Sequence, residues 1–162
     1  EPILRAVGLG YWDTRLTLAG AERAGHFATP VGQVTGACLM MRPVERFDER
    51  FFLYCEDTEL CLRLERHGKI VYVPSASFTH LLGASSTSDR WRSVARYNRG
   101  KELYFEIHQG RAAAGVCWLL NRLGALLRLL VWSAVTALTL GLWGGARHRV
   151  GLFAKVLSYP AR

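Results

Sequence analysis

Three carboxylates stand close to a run of aromatic residues in Phe47–Gly68, FDERFFLYCEDTELCLRLERHG. Glu56, Asp57 and Glu59 follow Phe51, Phe52 and Tyr54 within a few positions. Carboxylates beside apolar surface are costly unless something compensates them. A helix start supplies part of the compensation, because its dipole favours an anion there by about 0.3–1 kcal/mol. As ordinary first-turn acids, Glu56 and Asp57 need no further role. As reactive groups, they have a definite one. An aspartate with neighbours such as Phe52, Tyr54 and other acids should have its proton affinity raised by desolvation and like charge. Such a group can take the proton of a hydroxyl as that hydroxyl attacks. Spacing alone selects neither the role nor the reaction.

The elements that would position these acids follow from periodicity. From Glu56 to His67 the pattern is helical: Asp57, Leu60, Cys61 and Leu64 recur at i, i+3, i+4 and i+7 and form one stripe. Asp57 thus heads the inward face. Glu59 falls with Arg63 and Arg66 on the side expected to face water, with Glu59 and Arg63 as an i,i+4 ion pair. Gly68 stands where a C′ glycine belongs. KIVYVP, Lys69–Pro74, reads as a short strand, followed by SASFTH ending at His80 and the small-residue loop GASSTS. Upstream, Val31–Met41 is apolar and β-branched and reads as a buried strand, with Gly36 marking a bulge or a close backbone approach. A second helix is expected over about Asp89–His108, capped by Ser88 or Asp89. Helix, glycine and strand in such short order indicate an α/β layer. Residues 1–30 mix glycine, arginine and scattered aromatics and read as irregular.

Composition bounds what surrounds this segment. The chain has 162 residues, 50% hydrophobic and 21% charged, which is globular. It opens on Glu1, which reads as a processed form or a fragment. The net charge of +8 invites a nucleic-acid partner, but its distribution argues against one. Seven of the 21 Lys and Arg residues follow Glu106, where no acid occurs, leaving 14 basic residues against 13 acids before it. A basic tail interleaved with apolar runs suits an anionic membrane surface better than a nucleic-acid groove. Membrane association is expected over residues 112–146, where Leu129–Ala146 forms an uncharged run of 18 residues between Arg128 and Arg147. That length allows either a spanning helix or one lying in the interface. Of the cysteines Cys38, Cys55, Cys61 and Cys117, three lie in apolar runs and read as buried thiols in a reducing, cytosolic setting, with no metal-like spacing.

Taken together, Gly36–Ala37, the FDE of Phe47–Glu49, the aromatic-Glu56-Asp57 segment, an Arg in the next helix, VP, and then His80 resemble the C-terminal half of bacterial family 2 glycosyltransferases of the rhamnosyltransferase-like branch. The resemblance runs from about Val31 to His108. It implies a GT-A fold, a Rossmann-like α/β sandwich. On this view residues 1–110 form the acceptor-side catalytic half and residues 111–162 a helical membrane-associated tail, on the cytoplasmic face of the plasma membrane. The resemblance makes Asp57 the base of an inverting transfer from a nucleotide-sugar donor to a glycan or polyprenyl-diphosphate-linked acceptor. Glu56 is its helper. Gly36, Ala37, Phe52, Tyr54 and Arg63 fall on the acceptor side, and Arg96 and Arg99 on a diphosphate. His80 matches a ligand of the divalent metal, Mg²⁺ or Mn²⁺. The chain departs from the family in two respects. The interval from Gly36 to Phe47 is shorter by several residues, and there is no DxD and no nucleotide-binding βα opening, so the donor-binding half would precede Glu1. A noncatalytic, membrane-associated scaffold that keeps the fold is the alternative reading.

Overall fold

The computed structural model describes residues 28–76 and 90–160. The chain divides into two compact units, Glu1–Leu82 and Gly83–Arg162. The helix that ends just before residue 110 packs with the two helices that follow it.

In the first unit, β1 (Thr29–Pro30) and β2 (Val71–Tyr72) form a two-stranded antiparallel sheet, with Thr29 opposite Tyr72 and Pro30 opposite Val71. The Val31 N–H extends the pairing to the Ile70 carbonyl at 2.9 Å. Strand structure stops there. The strand expected over Val31–Met41 does not form, and the segment instead holds a short 3₁₀ turn, Gly36–Cys38, capped by Thr35. None of its residues is buried, and Met40 is 97% exposed. β-Propensity reflects packing on a pleated surface, and among the described residues no second strand lies alongside this run to supply one.

Helix α1 spans Glu56–Leu64, three residues shorter than the periodicity suggests. Its last turns close on tight bonds, His67 N–H to the Leu64 carbonyl at 2.9 Å and Gly68 N–H to the same oxygen at 3.2 Å. Gly68 keeps an ordinary φ, so the turn does not use it as a left-handed C′ residue. The start is more unusual. Tyr54 and Cys55 have φ of 73° and 69°, two consecutive non-glycine residues in the left-handed region. Each costs about 1–2 kcal/mol relative to the right-handed form. Phe51, Cys55, Leu60 and Cys61 form the small apolar core beneath the helix.

The second unit holds three helices, α2 (Arg90–Gln109), α3 (Arg111–Leu138) and α4 (Gly144–Ser158). Gly110, with φ of 87°, separates α2 from α3. α3 packs against both neighbours, and α2 also touches α4. Polar bonds fix these contacts. Asn121 of α3 accepts from Lys101 Nζ at 2.8 Å and donates to Glu102 Oε1 at 2.9 Å. Arg122 donates to the Val156, Leu157 and Tyr159 carbonyls at 2.5–3.1 Å, covering the orphan C-terminal carbonyls of α4. The uncharged run Leu129–Ala146 is not one helix. α3 ends in a Schellman turn, with Gly141 N–H on the Thr136 carbonyl, Leu140 N–H on the Ala137 carbonyl, and Leu140 in the left-handed region.

Candidate active site

The left-handed pair Tyr54–Cys55 turns the chain so that Glu56 and Asp57 become the first residues of α1. Asp57 is buried, 8% exposed, on the stripe that also buries Leu60 and Cys61. Its Oδ2 accepts the Gly36 N–H at 3.0 Å, and its Oδ1 accepts the Thr58 N–H at 2.8 Å. A Cβ at position 36 would stand 3.3 Å from the Asp57 Cβ. Gly36 therefore marks a close backbone approach, and what it approaches is this carboxylate. Two backbone donors from different segments thus fix the carboxylate's orientation.

Glu56 behaves differently. Burial pushes its carboxyl above the ordinary carboxylate range, the neighbouring Asp57 charge adds to this, and the backbone N–H groups of Glu56 and Tyr54 oppose it. Its Oε2 is buried with no hydrogen-bond partner among the described residues. The acid with a buried, unbonded oxygen is thus Glu56, whereas both Asp57 oxygens accept backbone N–H groups. Adjacent groups with unlike environments are the usual basis for dividing acid and base roles.

Glu59 does not face water. It is 2% exposed, one of the most buried side chains described. Arg63 makes that possible. Its Nε donates to both Glu59 oxygens at 2.8 and 3.0 Å, and its Nη2 donates to Glu59 Oε2 at 2.9 Å. Nη2 also reaches the Arg46 carbonyl at 2.6 Å, and Nη1 bonds Glu45, whose other oxygen meets His67 at 3.0 Å. The bond to Glu59 drives the guanidinium further above its already high range. The His67 contact, followed by the Arg63 charge and bond, holds Glu45 below the ordinary carboxylate value. Arg63, expected on the acceptor side, is taken up within the chain: it ties the segment before FDE to α1. Glu45 and Arg46 lie 18 and 17 residues from Arg63, and no local spacing marks them.

The FDE motif is held locally. Asp48 accepts from Arg50 N, Nε and Nη2, and these contacts lower its carboxyl to about 2 despite some burial. Phe51 is buried while Phe52 is 81% exposed, Tyr54 is half-buried and Ala37 is exposed. Arg96 and Arg99 belong to the second unit, on α2. Arg99 pairs with Glu102 at 3.7 Å in a polar cleft that Asn98 and Asn121 also line. His80 lies outside the described residues. Among the described residues no three His, Cys, Asp or Glu side chains converge as a metal site. The thiols divide: Cys55 and Cys61 are buried, Cys117 is half-buried and Cys38 is exposed.

Two proteins of Mycobacterium tuberculosis, from two strains, are each 35% identical to this chain over 107 residues. Both are N-acetylglucosaminyl-diphospho-decaprenol L-rhamnosyltransferases. The match covers 62% of this chain and 35% of each relative, so the chain spans about a third of the length of the curated relatives it matches. The chain is similar, then, to part of a glycosyltransferase. No family model and no solved structure matches it.

Proposed function

We propose that this chain carries the acceptor-side, base-bearing part of an inverting glycosyltransferase. Its donor is a nucleotide-activated sugar, and its acceptor is a hydroxyl of a polyprenyl-diphosphate-linked glycan in bacterial cell-surface polysaccharide synthesis. The observation that carries the reading is the Asp57 carboxylate, buried at a helix start and oriented by Gly36 and Thr58 N–H donors. Its similarity to two rhamnosyltransferases supports the substrate class. In the proposed step the acceptor oxygen attacks the anomeric carbon while Asp57 takes its proton. The bond to the nucleoside diphosphate breaks, and the diphosphate leaves with the electron pair. Attack opposite the leaving group inverts the configuration, through a transition state with oxocarbenium character. Glu56, whose proton affinity is raised chiefly by burial, positions the acceptor hydroxyl or tunes Asp57 beside it. The GT-A sandwich, a divalent metal at the leaving diphosphate involving His80, and a cytoplasmic location belong to the same proposal.

The test is transfer of labelled 6-deoxyhexose or hexose from nucleotide donors to N-acetylglucosaminyl-diphospho-polyprenol, with the chain alone and with a donor-binding half supplied. Asp57→Asn is expected to lower turnover by at least about 10²-fold with folding retained. Retained turnover removes Asp57 from the base role. Absence of transfer in both arms favours the noncatalytic scaffold.

A further inference from the structure

α3 is long and apolar enough to cross a bilayer by length and composition, yet only 6% of its most apolar window is buried inside the protein. The exposed side chains are not scattered. At 100° per residue, Leu119, Leu120, Leu123, Leu127, Leu130 and Val131 fall within about 120° of arc, and they are 48–63% exposed. Arg111, Arg122 and Arg128 all project outside that arc. The opposite face is committed to polar bonds, Asn121 to Lys101 and Glu102 of α2 and Arg122 to the end of α4.

This arrangement discriminates between crossing a bilayer and lying on it. The longest charge-free stretches of α3 are residues 112–121 and 129–138, ten residues each. Ten residues rise about 15 Å, half of a hydrocarbon core of about 30 Å. The Schellman turn at Leu140–Gly141 then reverses the chain before the run can lengthen. Crossing would also draw in α2, which carries five basic residues in its first 12 positions. The charge around the stripe is strongly positive: residues 90–160 contain eleven Lys and Arg against two Glu. Trp143, in the turn at the end of the stripe, is 47% exposed and stacks edge-on with Trp132 beneath Arg149, an aromatic–cation group suited to a headgroup region.

We infer that the α2–α4 unit docks on an anionic lipid surface with α3 in the plane of the interface, its Leu-rich arc in the acyl boundary and the flanking arginines on headgroup phosphates. This surface is distinct from the Asp57 segment and does not depend on its chemistry. The test uses the full chain and flotation with phosphatidylcholine vesicles, with and without phosphatidylglycerol. Binding is expected on the anionic vesicles, weakly on neutral ones, and released by alkaline carbonate. Leu123→Asp with Leu127→Asp, both at exposed sites, is expected to abolish it with the circular dichroism spectrum unchanged. Arg128→Gln and Arg147→Gln are each expected to weaken it about fivefold. Carbonate-resistant binding overturns the in-plane placement in favour of spanning. Equal binding to both vesicle types overturns the anionic specificity. Absence of binding overturns the inference outright, and a dimer that Leu123→Asp dissociates then assigns the arc to a second copy.

Discussion

Replacing Arg63 tests whether its place is structural. Glu59 is 2% exposed, and the Arg63 guanidinium meets it through three N–O contacts of 2.8–3.0 Å while also holding Glu45 and the Arg46 carbonyl. In Arg63→Met the side-chain volume is largely kept, but the Glu59 charge is left buried without its cation. Removing one partner of a buried pair costs about 3–5 kcal/mol, mostly the penalty of the stranded charge. For a chain of this length that corresponds to roughly 6–20 °C in Tm. Thermal unfolding by circular dichroism reads the loss directly. Glu59→Gln in the Arg63→Met background removes the stranded charge, and is expected to recover at least half of it. Arg63→Lys keeps the charge but cannot form the fork, and is expected to fall between the wild type and Arg63→Met. A loss below about 1 kcal/mol for Arg63→Met, or no recovery in the double variant, refutes the buried-pair account.

Two further predictions concern the acids themselves. Gly36→Ala places a Cβ 3.3 Å from the Asp57 Cβ, and a displaced base is expected to lower kcat for sugar transfer about tenfold or more with a stability loss of about 1 kcal/mol; unchanged kcat dissociates Gly36 from the site. Glu56 has a folded-state proton affinity raised above the ordinary 4.5, chiefly by burial. Its folded form therefore binds more protons than the unfolded chain above that pH, and stability falls as pH rises through the raised value. Glu56→Gln is expected to stabilise the chain at pH 7 and to match the wild type below about pH 4, and denaturant midpoints across that range check it.

Local order around the acids was legible because it is written in near-neighbour spacing. The stripe Asp57, Leu60, Cys61 predicts an inward aspartate, and Asp57 is buried with both. The Glu59–Arg63 pair also follows from i,i+4 geometry. Gly36 inside an apolar run signals a close approach but not its object. The strand expected over Val31–Met41 was misread because apolar, β-branched character records a preference for packing, and the described chain places no partner strand beside it.

The sequence by itself determined the helix that starts at the acids, the charge asymmetry of the tail and its interleaving of basic residues with apolar runs. Each depends on residues within a turn or two of one another, where helical period fixes the relation. Tertiary structure decided that α1 is dry on the Glu59 side as well as along the predicted stripe. Glu59 is buried because Glu45 and Arg46, distant in the chain, complete the coordination of Arg63. It also decided that Gly36 holds Asp57 across 21 positions, and that Leu129–Ala146 breaks at a turn rather than running through it. Local periodicity is blind to such choices, because burying a charge or ending a helix depends on partners that only the folded chain brings within hydrogen-bond reach.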